Sequence, residues 1–91
     1  MHYLLFYDYV PDMLARRDPF RPLHLSHAHS YWERGLLKMA GAFSDTVDGA
    51  VFVFSTDKLG SIEDFVRTDP YVENGLVTGH RIRPWNVVVG A

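Results

Sequence analysis

Hydrophobic residues are arranged in extended runs separated by two stripes at helical spacing. In the first run, His2 to Val10, Leu4 and Phe6 alternate with Tyr3, Leu5, Tyr7 and Tyr9. Both faces are apolar, the pattern of a strand covered on both sides. The run stops at Pro11-Asp12, and a polar connection carrying Arg16 and Arg17 continues to Pro19. From Phe20 to Arg34 the spacing predicts a helix. At about 100° per residue, Phe20, His24, Ala28, Tyr31 and Trp32 gather on one side, and Ser26, Ser30 and Glu33 on the other. Arg34-Gly35 closes the helix with a cation and a glycine suited to a left-handed turn.

Leu36 to Phe43 reads as a second strand, in which Gly41 marks a bulge or a close backbone approach. Ser44 to Gly49 is turn chemistry. Ala50 to Ser55 is a third strand, with Phe52 and Phe54 set against Val51 and Val53. A second helix is predicted to start at Ser61-Ile62-Glu63-Asp64, with Ser61 as N-cap and Ile62, Phe65 and Val66 as its inward stripe. Pro70 ends it at Asp69, and Tyr71 to Asn74 adds one turn before Gly75. Leu76 to Val89 is the last extended stretch, in two pieces parted at Pro84.

The order strand, helix, strand, strand, helix, strand predicts an α+β domain of ferredoxin-like βαββαβ type. Two helices then cover one face of a four-stranded antiparallel sheet. The other face stays bare yet carries aromatic and aliphatic residues. A symmetric homodimer through the sheet face is the expected remedy.

Length and charge narrow the function. Ninety-one residues suit a single domain, 1–91. A content of 47% hydrophobic and 14% aromatic residues is that of a folded chain. A net charge of −2 without a basic stripe points away from nucleic acid. No apolar run reaches the length of a membrane span. The chain enters a strand pattern at once, so a cytoplasmic location is expected. The absence of cysteine excludes disulfides, thiolate metal sites and a cysteine nucleophile.

His24 is the residue that demands explanation, because it falls on the apolar side of its helix. Imidazole titrates near neutrality and both gives and takes protons. Arg17 and Arg21 flank the approach to it and suit an anionic substituent of a small-molecule ligand. Tyr7, Tyr9, Phe52, Phe54 and Trp85 are candidates for the wall of an aromatic-binding cavity, with Tyr7 taken as a substrate contact. Strand-spaced aromatics also serve as core or interface. In the run His24-x-x-His27-x-His29, the first two are about 60° apart on a helix and His29 is on the far side. No metal site is expected, and His27 and His29 read as surface residues. No G-x-S-x-G elbow is present, and Ser26 and Ser30 face outward.

Four segments resemble the YCII-related (YciI-like) family in order: Arg21-Pro22-Leu23-His24-Leu25, Ala40-Gly41-Ala42, Asp69-Pro70-Tyr71-Val72 with Gly75 and Val77, and Ile82-Arg83-Pro84-Trp85. The resemblance implies a dimeric α+β barrel with a His–Asp pair in a pocket beside the sheet, here His24 and Asp69. It implies proton-transfer chemistry without a cofactor: a lyase or isomerase acting on a small cyclic or aromatic metabolite. One class in the family eliminates hydrogen chloride from a chlorinated hydroquinone-type ring. The alternative is a small-molecule binding module of the same fold without turnover. The turn Ser44 to Gly49 is shorter than is usual in the family, so a shared substrate does not follow.

Overall fold

The computed structural model describes residues 1–90, which form β1 (His2–Tyr9), α1 (Met13–Arg16), α2 (Arg21–Glu33), β2 (Leu37–Ala42), β3 (Gly49–Ser55), α3 (Leu59–Thr68), α4 (Pro70–Glu73) and β4 (Val77–Trp85). The strands make one sheet in the order β2-β3-β1-β4, every neighbouring pair antiparallel. This is the ferredoxin-like arrangement. The centre falls to β1 and β3 because they alone are strongly apolar on both faces. Their register sets Leu5 opposite Phe52 and Tyr7 opposite Ala50.

Leu5, Tyr7, Phe52 and Phe54 lie under the helices and are almost wholly excluded from solvent. Ile62 and Phe65 of α3 and Leu76 complete that core. On the opposite face Leu4, Phe6, Val51 and Val53 are only half-buried. Gly35 (φ 79°) and Gly75 (φ 73°) occupy the left-handed region and close α2 and α4. No helix among the described residues is long and apolar enough to cross a membrane.

Several local expectations give way. The connection after β1 contains α1, because Met13 turns inward and is buried in the core. The second long helix begins at Leu59, not near Ser61. Thr56 Oγ1 accepts the Lys58 N–H at 3.1 Å, so the chain turns before Lys58, the N-cap. The register shift in β2 lies between Leu37 and Met39 rather than at Gly41, which has open space where a Cβ would stand. β4 runs unbroken through Pro84, opposite Tyr3, and ends at Trp85. As an edge strand it tolerates a residue without an N–H. Trp32 is 55% exposed. The buried side of α2 centres on His24, His27 and Tyr31, and Trp32 sits roughly 100° around the helix from its neighbour Tyr31.

Candidate functional site

Asp69 owes its place to the proline that follows it. Proline disfavours helical backbone in the residue before it, and Asp69 is extended (φ −70°, ψ 125°) between α3 and α4. There it caps α4: its Oδ1 accepts the Tyr71 N–H at 3.0 Å. The side chain is completely buried. Two further groups meet it. The Tyr7 hydroxyl donates to Oδ2 at 2.7 Å, and Nδ1 of His24 lies 2.8 Å from Oδ1. A carboxylate only accepts, so it assigns the proton to Nδ1 and leaves the lone pair of His24 on Nε2.

His24 lies one turn into α2, which Pro22 helps to start. Its side chain is 8% exposed. It stacks on the Tyr71 ring, with centroids 3.9 Å apart and planes 5° from parallel, and meets Phe52 edge-on at 6.2 Å. The ring is thus held by one carboxylate and two aromatic surfaces. Among the described residues Nε2 has no protein hydrogen-bond partner.

A cavity of about 240 Å³ opens beside this ring. Arg17, Arg21 and His24 supply its polar groups, and Tyr9, Phe52 and Tyr71 its aromatic wall. Ala28, Ala40, Gly41, Ala42 and Ala50 leave room on the other sides. Burial pushes the Tyr7 phenol far above the usual tyrosine range, and the adjacent Asp69 charge pushes it further the same way. Tyr9 is raised as well, by burial and then by Tyr71 and Asp69, with Arg17 opposing. For Tyr71, burial raises the pKa while Arg17 and Arg21 pull it back. The three phenols remain donors at neutral pH.

Of the residues singled out in the sequence, His24 and Asp69 are in direct contact, and Arg17 and Arg21 share their cavity. Tyr7 is corrected: it does not line the cavity but lies behind Asp69, 1% exposed. Tyr9, two residues along the same strand face, lines it in its place. Phe54 is core, and Trp85 borders a separate hollow with His2. His27 is not a free surface residue. It is half-buried, its Nε2 is 2.9 Å from the Phe65 carbonyl oxygen, and its ring stacks on Phe65 at 4.7 Å. His29 is exposed beside Glu33. No group of three His, Cys, Asp or Glu side chains among the described residues is placed to share a metal ion. Tyr71 is the residue that sequence reasoning passed over. Its signal was its position directly after Asp69-Pro70.

A buried His–Asp pair thus sits beside a small cavity, under helices on one face of a ferredoxin-like α+β sheet. The chain belongs to the YCII-related domain family, whose profile matches residues 1–86. Among solved structures it is similar to the 5-chloro-2-hydroxyhydroquinone dehydrochlorinase TftG from Burkholderia phenoliruptrix AC1100, in complex with 2,5-dihydroxybenzoquinone. That likeness has 17% identity over 94% of each chain and a TM-score of 0.81. An antibiotic biosynthesis monooxygenase matches at 12% identity over 98% of this chain and 100% of that one, TM-score 0.62. The structured domain of Caenorhabditis elegans BMY-1 matches at 15% identity over 96% and 98%, TM-score 0.53. At such identities the likeness establishes the fold. No curated protein matches the sequence.

Proposed function

We propose that this protein is a cofactor-independent lyase or isomerase that moves a proton on a small cyclic or aromatic metabolite, with His24 as the base and Asp69 as its orienting partner. The observation that carries this reading is the 2.8 Å contact between Nδ1 of His24 and the buried Asp69, at the edge of a cavity. Nε2, the nitrogen with the lone pair, takes a proton from a ring carbon beside an electron-withdrawing group. Asp69 stabilises the imidazolium that forms. The electron pair left on the substrate either expels a leaving group, completing an elimination, or shifts the double bond and recovers the proton at another carbon, completing an isomerisation. Chloride departs in the first case when the ring carries it, as in the reaction that names TftG.

Replacing His24 by Asn keeps a polar side chain of similar reach and removes the base. The reading requires that His24→Asn abolish turnover of a substrate that the wild-type chain converts, while the variant stays folded. Turnover at the wild-type rate rejects it. Binding of ring compounds without turnover by the wild type indicates a binding module instead.

The uncovered sheet face is read as the interface with a second copy. Leu4, Phe6, Val51 and Val53 form its centre, with Met39 71% and Trp85 43% exposed beside them. Arg81 lies over the Phe6 ring at 4.8 Å. A self-complementary dimer about a two-fold axis buries such a face on both partners at once.

A further inference from the structure

Two guanidinium groups face the cavity without a carboxylate to neutralise them. Among the described residues, arginine ion pairs join Arg16 to Asp12 and Arg67 to Asp64. Arg17 and Arg21 have none, and the nearby Asp69 is already engaged by three donors. Nε of Arg17 is also shut off from solvent and bonded to no protein group. A donor in that state is costly, the more so on a charged group. A small turn of the guanidinium toward a ligand oxyanion relieves the cost. The backbone keeps the two arginines together: the Arg17 N–H donates to the Met13 carbonyl at 2.9 Å, and the Arg17 carbonyl accepts the Arg21 N–H at 2.8 Å.

Size and wall chemistry restrict what can enter. The cavity, about 240 Å³, is smaller than the roughly 300 Å³ at which drug-sized pockets begin. One ring with its substituents fits that space, whereas a nucleotide does not. Aromatic and methyl surfaces suit a planar ring, and the forked donors of a guanidinium match two oxygens that share one negative charge.

We infer that the cavity takes a single planar ring bearing a delocalised oxyanion, either a carboxylate or the ionised enol of a hydroxyquinone, and that Arg17 selects for that charge. The inference rests on the proton-transfer reading for its orientation, with the oxyanion at the arginines and a ring C–H at His24. When His24 takes a proton from an sp3 carbon of the ring's keto tautomer, the electron pair of the broken C–H bond joins the π system and moves onto the ring oxygens, where the same guanidinium groups stabilise it.

Titration calorimetry of the full chain tests this with three probes: benzoate, 2,5-dihydroxybenzoquinone and the neutral isostere benzamide. The expected result is that at least one oxyanion binds about tenfold or more tightly than benzamide. Comparing the two oxyanions shows whether carboxylate or enolate is the better fit. Arg17→Met is expected to erase the preference, and Arg17→Lys, a point charge without the fork, to keep part of it. Benzamide binding as well as both oxyanions overturns the inference, as does an undiminished preference in Arg17→Met or no oxyanion binding at millimolar concentration. If Arg17→Met does not fold, the native chain still decides the charge and Arg17→Lys decides the residue, an unchanged preference there counting against Arg17. These results are separate from the proton-transfer reading, which fails on turnover by His24→Asn.

Discussion

The Tyr7 hydroxyl donates to Oδ2 of Asp69 at 2.7 Å, on the opposite side of the carboxylate from His24. Tyr7 touches neither the cavity nor His24's hydrogen-bonding nitrogens, yet it shares the charge that steers the imidazole. Replacing Tyr7 by Phe keeps the ring in the core and removes the donor. The buried Oδ2 then lacks its partner, at a cost of about 1–3 kcal/mol, read as a lower denaturant midpoint. With one donor fewer, Asp69 places more negative charge on His24. The Nδ1–H proton of His24 in Tyr7→Phe is therefore expected to resonate downfield of its wild-type position by NMR, the sign of a stronger hydrogen bond to Asp69. An unchanged or upfield position contradicts a Tyr7–Asp69–His24 chain.

Alkaline stability follows from the same burial. The folded-state pKa values of Tyr7 and Tyr9 are raised above their ordinary value of 10.0. Above pH 10 the unfolded chain releases protons that the folded chain retains, so stability is full below that point and falls as pH climbs beyond it. The near-ultraviolet absorbance of tyrosinate is expected to show both phenols ionising only with loss of the fold. Ionisation of all five tyrosines in a still-folded chain contradicts the described packing.

The bare sheet face yields a test of assembly. Val53 lies in β3, one of the two central strands, with its side chain on the uncovered side opposite Leu4. Val53→Asp places a charge in the proposed two-fold interface, where an unpaired buried charge is strongly unfavourable. Sedimentation is expected to find a dimer for the wild type and a monomer for the variant, with near-native circular dichroism. A wild-type monomer at working concentration contradicts the interface.

Much of this architecture was legible in the sequence. Apolar residues on both faces marked β1 as a strand covered on both sides and set β3 beside it in character, and Gly35 and Pro70 cut the helices where they end. His24 was visible because one turn of helix carried it from Phe20 onto the apolar side. Asp69 was not derivable from spacing: no local pattern brings together two side chains from α2 and the α3–α4 junction. Family resemblance supplied that pair. Tyr7 and Tyr9 looked equivalent because both project from one face of β1. Two residues of strand separate them by about 7 Å, enough to put Tyr9 in the cavity wall and Tyr7 behind the carboxylate. Trp32 misled because apolar character alone does not settle orientation at the rim of a helical stripe. His27 misled in the opposite way, as a polar residue whose flat ring finds Phe65 and a carbonyl oxygen in a half-buried site.

The central claim is that Nε2 of His24 removes a proton from a carbon of a ring compound bound in the cavity. The direct measurement is deuterium uptake from heavy water into a bound hydroxyquinone, whose keto tautomer carries an sp3 ring C–H, followed by NMR for the wild type and His24→Asn. Uptake is expected at one ring position in the wild type. None above the solution rate is expected in His24→Asn, even where that variant still binds the compound. Equal uptake by the two proteins contradicts the claim.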